Sequence, residues 1–220
     1  MIKNPDISRF NPKTTFEFYD DFLSYLGLNW VPVGAGAGHY EGAGTAVNAL
    51  SCGNTVTGTL AGNFSNLYQS IYLWFANTFP GAWTYSTRVL HGQPAAATTD
   101  FRIGIGAGMA VAGELANWIG FRQPGVGNWE AVTRAGGVET VIATGIAASN
   151  AVWRDFTFIV NQDHTRVDFY VNNLLIGSST TNIPTGLLVS AFQAGTNTGG
   201  AANESLQGDF YYLRIDGLSR

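Results

Sequence analysis

The stretch from Trp153 to Pro184, WRDFTFIVNQDHTRVDFYVNNLLIGSSTTNIP, reads as three consecutive strands. Phe156, Phe158 and Val160 alternate with Thr157 and Ile159, the period-2 pattern of a strand with at least one buried face. Asn161-Gln162-Asp163-His164 supplies turn chemistry, after which Val167, Phe169 and Val171 alternate with Asp168, Tyr170 and Asn172. Two such runs around a polar turn predict a hairpin. Asn172-Asn173 suits the positive-φ positions of a tight turn, and Leu174-Leu175-Ile176 opens a third strand that Gly177 and Ser178 end. The rest of the chain is expected to pack on this meander.

Moving outward, short aromatic and β-branched runs recur between turn residues. Phe16–Phe22, Trp30–Val33, Thr55–Leu60, Ile71–Phe75, Trp83–Leu90, Phe101–Ile105, Ala116–Arg122, 129–134 and 138–144 all read as strands, as do Leu187–Phe192 and Gly208–Asp216. Their spacing of about 8–12 residues is that of a sandwich. No segment has sustained helical period with caps. The runs Gly34-Ala35-Gly36-Ala37-Gly38 and Gly104-Ile105-Gly106-Ala107-Gly108 lack the helix that a phosphate-binding loop must open. The first reads as a loop continued by Gly42 and Gly44. The second reads as glycines inside a strand, where a neighbouring backbone or ring comes close.

The pattern W-x-x-F-T-F-I-V, a polar turn, V-x-F-Y-V-N-N and a later N-I-P resembles the concanavalin A-like lectin/glucanase superfamily, particularly laminin G-like sandwiches. Asp209-Phe210-Tyr211-Tyr212-Leu213-Arg214-Ile215-Asp216 is similar to their closing strand, and Phe16–Phe22 to the opening strand that pairs with it. Trp118-Ile119-Gly120-Phe121-Arg122, followed by Asn128–Thr133 and the glycine turn Arg134-Ala135-Gly136-Gly137, resembles a pattern in laminin G-like domains of tailed-phage virion proteins. The likeness spans roughly Phe16 to Gly217. It implies an all-β fold, a two-sheet antiparallel jelly-roll sandwich, with residues 16–220 as one domain and residues 1–15 as an extended arm. Asn4-Pro5 and Asn11-Pro12 independently block regular pairing in that arm.

Composition narrows the function. Only 12% of the 220 residues are charged while 13% are aromatic and 28 are Gly. That balance argues against disorder and suits a protein that packs into an assembly. A net charge of −4, with lysine only at positions 3 and 13, gives no electrostatic footprint for nucleic acid. No window has the length of a membrane span or of a signal-peptide core, so assembly in a cytoplasm is expected. The lone Cys52 reads as a small buried apolar side chain.

No catalytic constellation stands out. The superfamily's glucanases place two carboxylates on alternate positions of one strand, E-x-D-x-E or E-x-D-x-x-E, as retaining hydrolysis requires. Here Glu114, Glu130, Glu139 and Glu204 stand alone, and Glu17 precedes Asp20 without that pattern. His39, His91 and His164 are scattered over loops, and neither a nucleophile elbow nor metal-ligand spacing is present. Calcium, common among lectin relatives, stays open, because Asn161, Asp163 and Asp168 carry suitable oxygens that turn chemistry explains equally.

The remaining candidates are contact residues. Lys3, Arg9, Phe10 and Lys13 could form an arm reaching a neighbouring subunit or lie on their own domain. Trp83, Tyr85, Arg88, Trp118, Arg122 and Trp129 could meet a glycan or a protein. Strand parity sets Trp118 and Arg122 opposite Ile119 and Phe121, and Trp83 and Tyr85 opposite Thr84, Ser86 and Arg88. One face of each strand must be core, and parity does not say which. With the resemblance, these features lead to an expected non-enzymatic structural protein of a tailed-phage virion. It would be a capsid decoration (cement) protein or a head or tail fibre module, homo-oligomeric with a trimer as one form, bound to the major capsid protein or to neighbouring copies. The alternatives are a carbohydrate-binding lectin-like module and an atypical glycoside hydrolase.

Overall fold

The computed structural model describes residues 15–20, 30–35, 38–42, 52–56, 64–69, 81–91, 99–106, 115–125, 127–147, 152–184, 190–197 and 205–217. They form fifteen strands: β1 (Thr15–Asp20), β2 (Trp30–Ala35), β3 (Gly38–Gly42), β4 (Cys52–Val56), β5 (Phe64–Gln69), β6 (Trp83–His91), β7 (Thr99–Gly106), β8 (Trp118–Pro124), β9 (Asn128–Ala135), β10 (Val138–Ala147), β11 (Arg154–Val160), β12 (Val167–Val171), β13 (Leu174–Ser179), β14 (Ser190–Asn197) and β15 (Ser205–Asp216). The arm residues Lys3, Arg9, Phe10 and Lys13 and the expected strand Ile71–Phe75 lie outside the described residues.

Two antiparallel sheets result, as the sequence implied. One runs β13-β12-β11-β6-β15-β4-β3, with β1 also on β15; the other runs β10-β9-β8-β7-β14-β5-β2. The 153–184 meander forms one flank of the eight-stranded sheet. Asn172 and Asn173 take φ of 50° and 65°, the left-handed pair that a two-residue hairpin turn needs. The third strand runs through Gly177 to Ser179, beyond its expected end, with a register shift opposite Phe169 and Tyr170. The opening and closing strands do pair, from Thr15 opposite Asp216 to Asp20 opposite Tyr211. β1 and β4 share one edge of β15, taking its second and first halves, while β6 covers the whole of the other edge.

Between the sheets lies one apolar cluster. The eight-stranded sheet contributes Trp83, Tyr85, Phe156, Phe158, Phe169, Tyr211 and Leu213, and the seven-stranded sheet contributes Phe101, Ile103, Phe121 and Trp129. Phe156 meets Trp129 at 4.6 Å and Phe121 at 4.8 Å between ring centroids, and Phe121 stands edge-on to Phe169 at 5.4 Å. Burying such rings drives the two layers together, and their offset geometry adds to it. Desolvation holds the Tyr85 and Tyr211 hydroxyls well above the usual phenol range.

Two glycine readings resolve differently. Gly38 to Gly42 is strand β3, paired with β4, rather than a continuing loop: a partner edge, not side-chain propensity, makes it a strand. Gly104 and Gly120 face each other across β7 and β8, as glycines in a strand with a close neighbour. A Cβ on Gly120 would sit 2.0 Å from the Ile103 carbonyl oxygen and 2.8 Å from the Gly104 Cα. Backbone cannot yield there as a flexible side chain can, so Gly120→Ala is expected to cost about 1–3 kcal/mol. Its denaturation midpoint should fall accordingly, whereas Gly136→Ala, with nothing within 4 Å of the added atom, should show only the smaller cost of a left-handed φ.

Candidate functional site

Alternation along each strand gives every sheet an outer face. On β7 to β10 the outer face of the seven-stranded sheet carries a cluster of charged residues. Arg122 (β8) lies opposite Glu130 (β9), and Arg134 (β9) opposite Glu139 (β10). Arg122 donates to Glu130 at 2.8 and 3.0 Å and to Glu139 at 3.2 and 3.3 Å, and Arg134 donates to Glu139 at 3.1 Å. Beside them Arg102, almost fully buried, reaches Asp100 at 3.5 Å. The two glutamates that share this face are thus tied to guanidiniums in a planar, multidentate arrangement.

The outer face of the eight-stranded sheet is different. One cross-strand row runs Tyr19, Tyr212, Ser86, Thr157, Tyr170 and Leu175 over six strands. Ser86 and Thr157 share a 2.8 Å hydrogen bond at its centre. They leave a low polar floor two strands wide between the rings of Tyr212 and Tyr170, about 14 Å apart at the strand spacing. Tyr19, half exposed at 51%, stacks on Phe210 at 6.0 Å. The Tyr212 hydroxyl donates to Glu17 at 2.6 Å; burial first, and then Glu17, push its pKa up to about 12. Charges on this face pair among themselves: Arg88 holds Asp155 at 2.6 and 3.1 Å, and Arg214 holds Asp216 at 3.0 Å.

The six contact residues expected from the sequence therefore do not meet. Trp83, Tyr85 and Trp129 are core, at 3%, 0% and 2% exposure, so no ligand reaches them while the sheets are packed. Trp118 and Arg122 do share the outer face of β8, as parity required. Yet Trp118 is buried outside the inter-sheet cluster and offers no open ring. Arg88 lies on the other sheet's outer face, beside Phe210. The tyrosine row was missed; its signal was Tyr170 and Tyr212 standing at polar positions between core residues.

At the 161–168 turn, two of the three residues named for calcium have side-chain oxygens engaged within the chain. The Asn161 side-chain oxygen Oδ1 accepts from the backbone amides of Thr165 and Arg166, and Asp168 is bound by Arg166 and Ser178. Among the described residues no group of three His, Cys, Asp or Glu is close enough to hold a metal. Of the histidines only His164 is in a turn, its Nε2 donating to the Gly81 carbonyl oxygen at 2.9 Å and its ring lying against Trp83. His39 lies in β3 and His91 in β6, which corrects their assignment to loops.

No protein-family model and no curated protein matches the sequence. Solved structures do match. The chain is similar to a Bacillus licheniformis β-glucanase (13% identity, 90% of this chain and 97% of that one, TM-score 0.62). It is also similar to the carbohydrate recognition domain of Emp47p (11%, 97% and 100%, 0.59). A third match is a carbohydrate esterase of the Shiga toxin-encoding bacteriophage phi24B (9%, 86% and 91%, 0.54). The fold is that of the concanavalin A-like lectins and glucanases. At these identities the likeness is one of architecture, and function has to be argued from the faces of the sandwich.

His91 is 3% exposed at the end of β6, edge-on to Phe101 at 4.9 Å. Burial lowers its pKa from 6.5 to about 4. The unfolded chain takes up a proton that the folded one resists, so this stability is full above pH 6.5 and drains away as pH falls toward 4. At most about 3 kcal/mol is involved. His91→Gln should flatten the acid limb of the stability curve over that interval; an unchanged limb in urea titrations would discount the histidine.

Proposed function

We propose that the chain is a non-enzymatic structural module of a tailed-phage particle, of the decoration (cement) or fibre kind. The observation that carries this reading is the state of the glutamates on the outer face of the seven-stranded sheet. Glu130 and Glu139 are engaged by Arg122 and Arg134, which makes that face a rigid, internally neutralised surface rather than one with a free acid and nucleophile. The low charge of the chain and the occurrence of this fold in a phage protein support it. A module of this kind stabilises an assembled particle by binding it and not its separate parts. Mass spectrometry of purified particles made from the encoding genome should recover the chain at a stoichiometry matching the copies of a structural protein. Finding it only in the soluble fraction would overturn the reading, as would turnover of a β-glucan that Glu130→Gln abolishes.

A second reading, carbohydrate binding, is favoured by one observation, the tyrosine row across the eight-stranded sheet. Phenol rings flanking a floor of hydroxyls suit a neutral sugar chain, and the fold is shared with a carbohydrate recognition domain. On a glycan array, Tyr170→Ala and Tyr212→Ala should each weaken any specific signal about tenfold or more. Signal that survives both changes would remove this face from consideration.

A further inference from the structure

β10 is an edge strand of the seven-stranded sheet and β13 an edge strand of the eight-stranded sheet, and the two edges meet. A Cβ on Gly177 of β13 would lie 2.8 Å from Ile142 Cγ2 of β10. Thr140 bonds the Thr181 hydroxyl at 2.7 Å and accepts from Asn182 at 2.9 Å. Six large hydrophobic residues are exposed among the described residues, and four sit on these two strands: Val138 (62%), Val141 (41%), Leu174 (70%) and Leu175 (48%). An open edge offers a row of backbone donors and acceptors that only another extended strand can satisfy. Proteins usually guard such edges with Lys, Pro or a bulge. Here β10, VETVIATGIA, carries neither Lys nor Pro. Its irregularity falls late, between Ala143 and Ala147, with Gly145 at φ 71°, leaving Val138–Ala143 regular.

We infer that this edge is the seat of a second copy of the chain, joined antiparallel through β10 so that the seven-stranded sheet continues from one copy into the other. The strand suits itself as partner. Pairing about Val141 sets Val141 against Val141, Glu139 against Ala143 and Thr140 against Ile142, so no like charges oppose each other. The only charge on β10, Glu139, is held by Arg122 and Arg134 of its own copy. A charged peptide would find Glu139, the charge on β10 itself, already engaged. The pairing is isologous and closes at two copies. It stands or falls independently of the particle reading, since it concerns the purified chain alone.

Light scattering and sedimentation of the full chain over a dilution series test it. The wild type should be a dimer that dissociates on dilution. Val141→Lys, at a solvent-exposed position, should stay folded and associate about tenfold more weakly or worse, because two like charges then face each other. Val141→Glu should do the same, and mixing the Lys and Glu variants should restore the dimer, which a folding defect would not allow. Val152→Lys, exposed but before β11, should dimerise as the wild type does. Amide exchange on the wild type should show those amides of Val138–Ala143 that do not bond to β9 protected at high concentration and losing protection on dilution. A wild type that is monomeric throughout, an undisturbed dimer in Val141→Lys, or no rescue on mixing overturns the inference.

Discussion

Phe156 is the point on which the two layers depend. It projects from the eight-stranded sheet between Trp129 and Phe121 of the seven-stranded sheet, with no exposed surface. Sheets have one apolar face each and gain little until those faces meet. Two rings of the opposite sheet within 5 Å of Phe156 fix how far apart and at what offset they meet. The close β7–β8 approach at Gly104 and Gly120 serves the same end, because Ile103, Ile119 and Phe121 on those strands supply the opposing wall.

Given that core, the outer faces become free to differ. One carries an arginine–glutamate cluster; the other carries tyrosines over hydroxyls, with Arg88 paired to Asp155. Among the described residues the arginines of both faces are each paired with a carboxylate of the same chain.

Much of this was legible beforehand. The 153–184 meander could be read because bulky residues repeat every second position and asparagines mark the turn; its pairing with β6 adds a partner but changes no residue's face. β3 and β5 were not legible. GHYEG and FSNLYQ have little β-branched alternation, and they are strands because β4, and β2 with β14, lie alongside. Parity separated the faces of β6 and β8 correctly. Which face turned inward depended on packing against residues far away in sequence, so Trp83, Tyr85 and Trp129 were as eligible for a ligand as for the core until the sheets were placed.

The shared edge of β15 has a consequence for how the protein comes into being. Thr15 and Asp216, 201 positions apart, are bonded to each other, and β15 sits between β6 on one side and β1 and β4 on the other. On the ribosome, the middle of the eight-stranded sheet must wait, unzipped, until β15 has emerged. Such distant closure makes for slow folding. It also means that a nascent chain has a long interval in which the vacant side of β6 can be filled by the wrong strand.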